Sequence, residues 1–137
     1  MASLSIRLGD AFLIKTPPKG KHLYVAIAPA LTGQFAKTTK TRYLFVSINS
    51  RQLKSETVCI LKPGPDVPDF IVHESVVNYR FARELTAKDL AKLMPPGSRS
   101  VRGYCSNAVL KRIQTGGISS KRLKNRYKLA LKDFMEP

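Results

Sequence analysis

Tyr43-Leu44-Phe45-Val46-Ser47-Ile48 (residues 43–48) is the stretch that decides the fold. Aromatic and β-branched side chains dominate it, a composition that fits a pleated, buried strand. Upstream, Leu23 to Ala28 (LYVAIA) is a second such run, closed by Pro29. Ala11-Phe12-Leu13-Ile14 is another, closed by Thr16-Pro17-Pro18-Lys19-Gly20, a cluster that stops a strand and turns the chain. The intervening Leu31 to Thr41, with Gly33 and a Lys/Thr run at 37–41, reads as a polar loop. Downstream, Val58 to Leu61 predicts a fourth strand, ended by Lys62-Pro63-Gly64-Pro65-Asp66. Phe70-Ile71-Val72 predicts a short fifth and Val76 to Phe81 a sixth. Most of these runs lie too close together for crossover helices, which argues against a parallel sheet. The expectation is an α+β chain, mainly β, built on a small antiparallel barrel or sandwich.

After Arg83 the character changes. Thr86 predicts an N-cap for a helical turn from Ala87 to Met94, stopped by Pro95-Pro96-Gly97. Ser98 to Tyr104 reads as a polar loop. Ser106 predicts the cap of a helix over Asn107 to Gln114, with Gly116-Gly117 past its end. Ser119 or Ser120 then starts a last helix to about Phe134. Its apolar residues Leu123, Tyr127, Ala130, Leu131 and Phe134 recur at helical spacing.

Charge is the unusual property. Among the 137 residues, 24 Lys and Arg face 9 Asp and Glu, a net charge of +15. Solubility asks for no more than about 8 on a small domain. An excess this large attracts polyanions. Nucleic acid is the first partner to consider, then an acidic protein, and an anionic membrane last. From Ser98 onward, ten basic residues face only Asp133 and Glu136, so the tail holds +8 of the total. Lys111, Arg112, Lys121, Arg122, Lys124 and Lys128 are candidates for phosphate contacts there, with Arg51 and Arg80 upstream. The ordinary reading of the same tail is a solvated helix face.

Other classes have little support. Cys59 and Cys105 form no CxxC and sit in no Cys/His cluster, so no zinc site is expected. Cys59, within Val58-Cys59-Ile60-Leu61, reads as a buried core thiol. Met1 to Asp10 has no apolar signal-peptide region, and no stretch approaches the ~20 apolar residues that span a bilayer. These features point to the cytoplasm and to no membrane partner. No P-loop, dinucleotide fingerprint, zinc-hydrolase motif or nucleophile elbow is present.

Three constellations could carry chemistry. His22 follows Lys19-Gly20-Lys21 at the mouth of the second strand, a cationic setting suited to phosphate. His73 and Ser75 share one face of an extended segment, because side chains alternate with period two. Ser47 and Asn49 likewise project together at the end of the third strand. Each also has a plain structural reading: a surface histidine, a satisfied buried histidine, ordinary strand-ending residues. A ribonuclease needs only a general base, a general acid and a cation for the phosphate, roles that His, Arg, Lys, Ser, Thr and Tyr can fill without a metal, so a chain with two histidines is not excluded.

The order of these pieces resembles the PemK/MazF toxins, endoribonucleases of bacterial toxin–antitoxin systems. Leu8-Gly9-Asp10-Ala11-Phe12-Leu13-Ile14 looks like that family's opening Gly-Asp and apolar strand. Lys21-His22-Leu23-Tyr24-Val25-Ala26-Ile27 stands where the family has a basic loop, typically His-Arg-Pro, leading into a strand. Leu44 to Ser50 looks like its third strand, which ends in small hydroxyl residues. Thr57 to Gly64 and Phe70 to Tyr79 look like a divergent branch. The resemblance covers about residues 6–83. It implies an SH3-like barrel over 1–84; residues 85–137 read as a basic helical extension packed on it, longer than the minimal toxin and not explained by the resemblance. It also implies a usually dimeric, toxin-like endoribonuclease that cuts single-stranded RNA without metal or other cofactor, paired with an acidic antitoxin. By position, His22 falls where the family has its catalytic Arg, and Ser47, Asn49 and Ser50 fall near its strand-end hydroxyls. That departure at 22 implies either an altered mechanism, with His22 as acid or base and Lys21 or Arg51 steadying the phosphate, or a barrel that binds RNA without cutting it. The expected catalytic set is therefore His22, Lys21, Ser47, Asn49, His73 and Ser75. Two other readings stand beside it: a non-catalytic nucleic-acid-binding module, and a module whose basic surface binds an acidic protein.

Overall fold

The computed structural model describes residues 6–15, 21–29, 42–94 and 103–136. The expected loop at Leu31–Thr41, the Thr16–Gly20 turn, the Pro95–Gly97 stop and most of the Ser98–Tyr104 loop lie outside the described residues. The elements run β1 (Ala11–Lys15), β2 (Lys21–Pro29), β3 (Arg42–Ser50), β4 (Ile60–Leu61), β5 (Ser75–Thr86), α1 (Ala87–Leu93), α2 (Asn107–Ser119) and α3 (Asn125–Met135). The strands form one antiparallel sheet in the order β1-β2-β3-β5-β4.

The three N-terminal runs are apolar throughout because this sheet is covered on both faces. Leu13, Val25, Val46 and Val77 face a core shared with α2 and α3, which supply Val109, Ile113, Tyr127 and Leu131. Phe12, Tyr24, Ala26 and Phe45 face the other way, against Leu85 and the α1 residues Leu90 and Leu93. A strand buried on both sides loses the polar alternation of a half-exposed one. The C-terminal helices thus complete the main core.

The sheet is open, not the closed barrel expected: β1 and β4 are its edges and do not pair. Helices on both faces bury the apolar surface that closure would otherwise have to hide. Segment 103–106 bridges the two edges instead. Ala11 N–H donates to the Gly103 carbonyl (2.9 Å), Cys105 N–H to Gly9 (2.9 Å), and Ser106 N–H to Asp66 in the β4–β5 connection (2.8 Å). Gly9 makes this possible. Its φ of +97° suits glycine, and it donates to the Ala26 carbonyl at 2.7 Å. The Gly-Asp pair is therefore a structural corner, with Asp10 Oδ2 accepting from Arg7 N–H at 3.0 Å.

Several element boundaries differ from expectation. Phe70-Ile71-Val72 is no strand, since Ile71 N–H turns back to the Pro68 carbonyl (2.9 Å) and Phe70 and Val72 are exposed. The fourth strand shrinks to Ile60–Leu61, and β5 extends to Thr86 because Arg42 to Phe45 pairs with its second half. α2 runs straight through Gly116-Gly117 to Ser119. These glycines allow close approach rather than a stop: a Cβ at Gly116 would lie 2.5 Å from the Tyr79 hydroxyl. The Gln114 amide donates to the Ile27 carbonyl at 2.8 Å, where the β2–β3 register slips. Thr86 and Ser106 cap α1 and α2 as expected. At α1 the cap is reciprocal, and the Thr86 N–H holds the Asp89 carboxyl below the usual carboxylate range.

The last helix begins at Asn125, not at Ser119 or Ser120. Ser120 does cap a turn, accepting from Arg122 N–H (3.0 Å) and Leu123 N–H (3.2 Å), but the chain then drops Leu123 into the core. The Ser120 hydroxyl donates to Glu56 Oε1 (2.8 Å), whose other oxygen accepts from Lys121 N–H (3.1 Å). Ser120 is fully buried, so Ser120→Ala strands these partners. It is expected to cost about 1–2 kcal/mol, read from the midpoint of a urea melt.

Both cysteines are free and buried. Burial raises the Cys59 thiol and pushes Cys105 up to about 12. Neither thiol is expected to react with Ellman's reagent in the native protein, and both should react in denaturant. A rapidly titrating native thiol would contradict this packing.

Candidate functional site

Antiparallel register gathers the start of β2, the end of β3 and the start of β5 at one end of the sheet. Leu23 pairs with Ile48, and Ser50 with Ser75. Residues 51 positions apart in sequence, His22 and His73, therefore line one cavity of about 190 Å³. Asn49, Ser50, Phe70 and Ser75 line it too. Four of the six expected catalytic residues thus come together. His22 is half-buried and His73 exposed. The Ser75 hydroxyl, buried, donates to the His73 carbonyl at 2.9 Å and pins the segment that carries the imidazole.

Ser47 lies one rung inside, buried rather than on the cavity wall. Asn49 Nδ2 donates to its hydroxyl at 3.1 Å, linking it to the cavity. Across the β2–β3 pair, Ser47 faces Tyr24. Burial raises the Tyr24 phenol, while the Arg83 guanidinium and a hydrogen bond with Ser47 oppose that shift. Tyr24, Ser47, Asn49 and Arg83 thus form a polar cluster on the face of the sheet that packs against α1. Sequence reading missed Tyr24 and Arg83. The pairing of Tyr24 with Ser47 was the only signal, and it appears only once register is known. Lys21 starts β2, but its side chain lies outside the described residues.

Two other cavities adjoin. One, of about 380 Å³, shares Asn49 and Ser50 and is lined by Glu56, Asn78 and Arg122. The other, of about 480 Å³, lies across the next backbone step and is lined by Arg51, Lys62, Asp66, Glu74 and Arg112. Arg51 is ion-paired with Glu74, and its backbone N–H donates to the Glu74 carbonyl at 3.1 Å. It therefore faces the neighbouring cavity rather than the imidazoles.

The cations predicted to touch phosphate divide into two groups. Arg112 donates to the Ile60 carbonyl (2.7 Å) and Arg122 to that of Lys54 (3.2 Å), so they tie the C-terminal segment to edge strand β4 and to the β3–β4 connection. Lys111, Lys121 and Lys124 are exposed, Lys128 is half-buried, and Arg80 stacks over the adjacent Phe81 ring at 5.9 Å. The sequence suggests that the face of the last helix opposite its apolar stripe is almost wholly cationic; instead Lys121, Arg122 and Lys124 precede α3, and its outer face also exposes Leu129. Ser120 causes this by capping its own turn.

Among the described residues, no group of three or more His, Cys, Asp or Glu is placed to hold a metal ion. No described helix is long and apolar enough to cross a membrane. Compared with known proteins, the chain matches no protein-family model and no curated protein.

Proposed function

We propose that this protein is a toxin-like endoribonuclease that cuts single-stranded RNA without a metal, using His22 and His73 as the proton-transfer pair. The observation that carries this reading is that the register brings both imidazoles, with Asn49 and Ser75, to one cavity. One imidazole takes the proton of a ribose 2′-hydroxyl as its oxygen attacks the adjacent phosphorus. The other delivers a proton to the departing 5′-oxygen as the P–O5′ bond breaks. The products are a 2′,3′-cyclic phosphate and a 5′-hydroxyl. General acid–base catalysis of this kind is worth about 10²–10⁴-fold. Asn49, held by Ser47, is a hydrogen-bond donor at the cavity wall and suits a phosphate oxygen.

The charge favours the same substrate. Arg122 lines the cavity that shares Asn49 and Ser50 with the imidazole cavity, and Lys62 and Arg112 line a third one, reached along the chain through Arg51 and Glu74. A strand crossing this end of the sheet would meet them as backbone contacts. In this reading the bridged open sheet is a divergent, unclosed relative of the SH3-like fold. An acidic antitoxin and a second copy of the chain are its protein partners, and the cytoplasm is its place of action.

The +15 charge alone equally supports a module that binds nucleic acid and leaves it intact. Incubation with a mixed-sequence single-stranded RNA in EDTA separates the two. Fragmentation of RNA, with DNA of the same sequence spared, supports the ribonuclease. Binding of both with a steep salt dependence and no fragments supports the module.

A further inference from the structure

Phe70 and Val72 are large apolar side chains left 49% and 67% exposed, and both line the cavity that holds the two imidazoles. A loose loop does not account for this exposure. Ile71 between them is buried in the main core, its N–H bound to the Pro68 carbonyl. The hydroxyl of Ser75 fixes the chain just beyond, at His73. The backbone therefore presents Phe70 outward on a pinned segment, and its ring belongs to neither apolar core. Beside it stand the amide of Asn49 and the hydroxyl of Ser50, groups that can pair with the edge of a flat polar ring.

We infer that Phe70 is a stacking platform for an unpaired nucleobase, which sets the base beside the imidazole cavity and restricts the site to single strands. This rests on the ribonuclease reading for its setting and adds the residue that selects the substrate's form. A flat apolar face, a polar edge and an anionic backbone are the three properties of a single-stranded nucleotide. The phenyl ring, the Asn49–Ser50 wall and the +15 chain match them in turn. A base inside a duplex has both faces covered by its neighbours and cannot stack on the ring.

The test uses a short single-stranded 2′-deoxy oligonucleotide carrying 2-aminopurine, which has no 2′-hydroxyl to react and loses fluorescence on stacking. The wild-type protein should bind and quench it, and should not quench the duplex form. Phe70→Ala should weaken binding ~10-fold or more and abolish quenching. Phe70→Trp should retain both, and Phe70→Leu, apolar but without a π-face, should behave like the alanine variant. Unchanged binding and quenching in Phe70→Ala overturns the platform. So does full retention in Phe70→Leu. So does a wild-type dimer that Phe70→Ala splits in sedimentation while oligonucleotide binding stays the same, since the ring would then serve a second copy of the chain. Because the probe cannot be cut, the two readings fail separately. Phe70-dependent quenching with no RNA cleavage keeps the platform and removes the reaction. Wild-type cleavage and quenching in Phe70→Ala does the reverse.

Discussion

His73→Ala is expected to lower the rate of RNA cleavage by ~100-fold or more, and His22→Ala to do the same, with the thermal midpoint of each variant close to that of the wild type. The stability half of this expectation follows from position. His73 is exposed and His22 half-buried, and neither belongs to either apolar core. The kinetic half follows from chemistry, since a proton must leave the 2′-oxygen and another must reach the 5′-oxygen. Removing either transfer group leaves only positioning and charge. The two losses should be far from additive, because the pair acts as a unit. Wild-type cleavage in both single variants would remove the imidazoles from the mechanism.

The largest stability effect is expected at Gly116. Alanine in a helix interior normally gains up to about 1 kcal/mol over glycine. Here its Cβ would lie 2.5 Å from the Tyr79 hydroxyl and 3.3 Å from Cys59 Cβ, too close for unstrained packing. Tyr79 cannot step aside: it is buried, and its hydroxyl donates to the Ile113 carbonyl at 2.7 Å. Overpacking costs about 1–3 kcal/mol and loss of the hydrogen bond about 1 more, so the clash wins over helix propensity. Gly116→Ala should therefore destabilise by about 2 kcal/mol in urea denaturation. Tyr79→Phe removes the obstructing oxygen, so the same alanine should cost distinctly less in that background. A Gly116→Ala protein as stable as the wild type would mean that α2 does not lie this close to β5.

These two positions mark what the sequence carried and what it hid. β1, β2 and β3 were legible because apolar runs such as LYVAIA need no partner to be recognised as buried. Gly116-Gly117 is ambiguous in sequence because glycine marks both helix ends and close approaches, and only the packed neighbours, Tyr79 at Gly116 and Leu131 at Gly117, distinguish them. Ser120 is ambiguous in a similar way: it caps a turn, but the core position of Leu123 and the bond to Glu56 interrupt the helix there. The second half of β5 was hidden because Arg80 to Glu84 is charged or exposed at several positions, and its strand character comes from pairing with β3. Each member of the candidate site was visible alone as a polar residue at a strand end. Their assembly was not, because it depends on the pairing of Leu23 with Ile48 and of Ser50 with Ser75. Phe70-Ile71-Val72 has the composition of a strand, and nothing in that composition signals that Phe70 stands on the cavity wall.

The central claim is that the end of the sheet holding His22 and His73 performs metal-free transesterification of RNA. Its most direct test is mass analysis of the ends produced when the purified protein digests a defined single-stranded RNA in excess EDTA. The expected fragments end in 2′,3′-cyclic phosphate, paired with 5′-hydroxyl ends, with no cut at a residue carrying a 2′-deoxyribose. Intact RNA, or fragments ending in a 3′-hydroxyl, would contradict it.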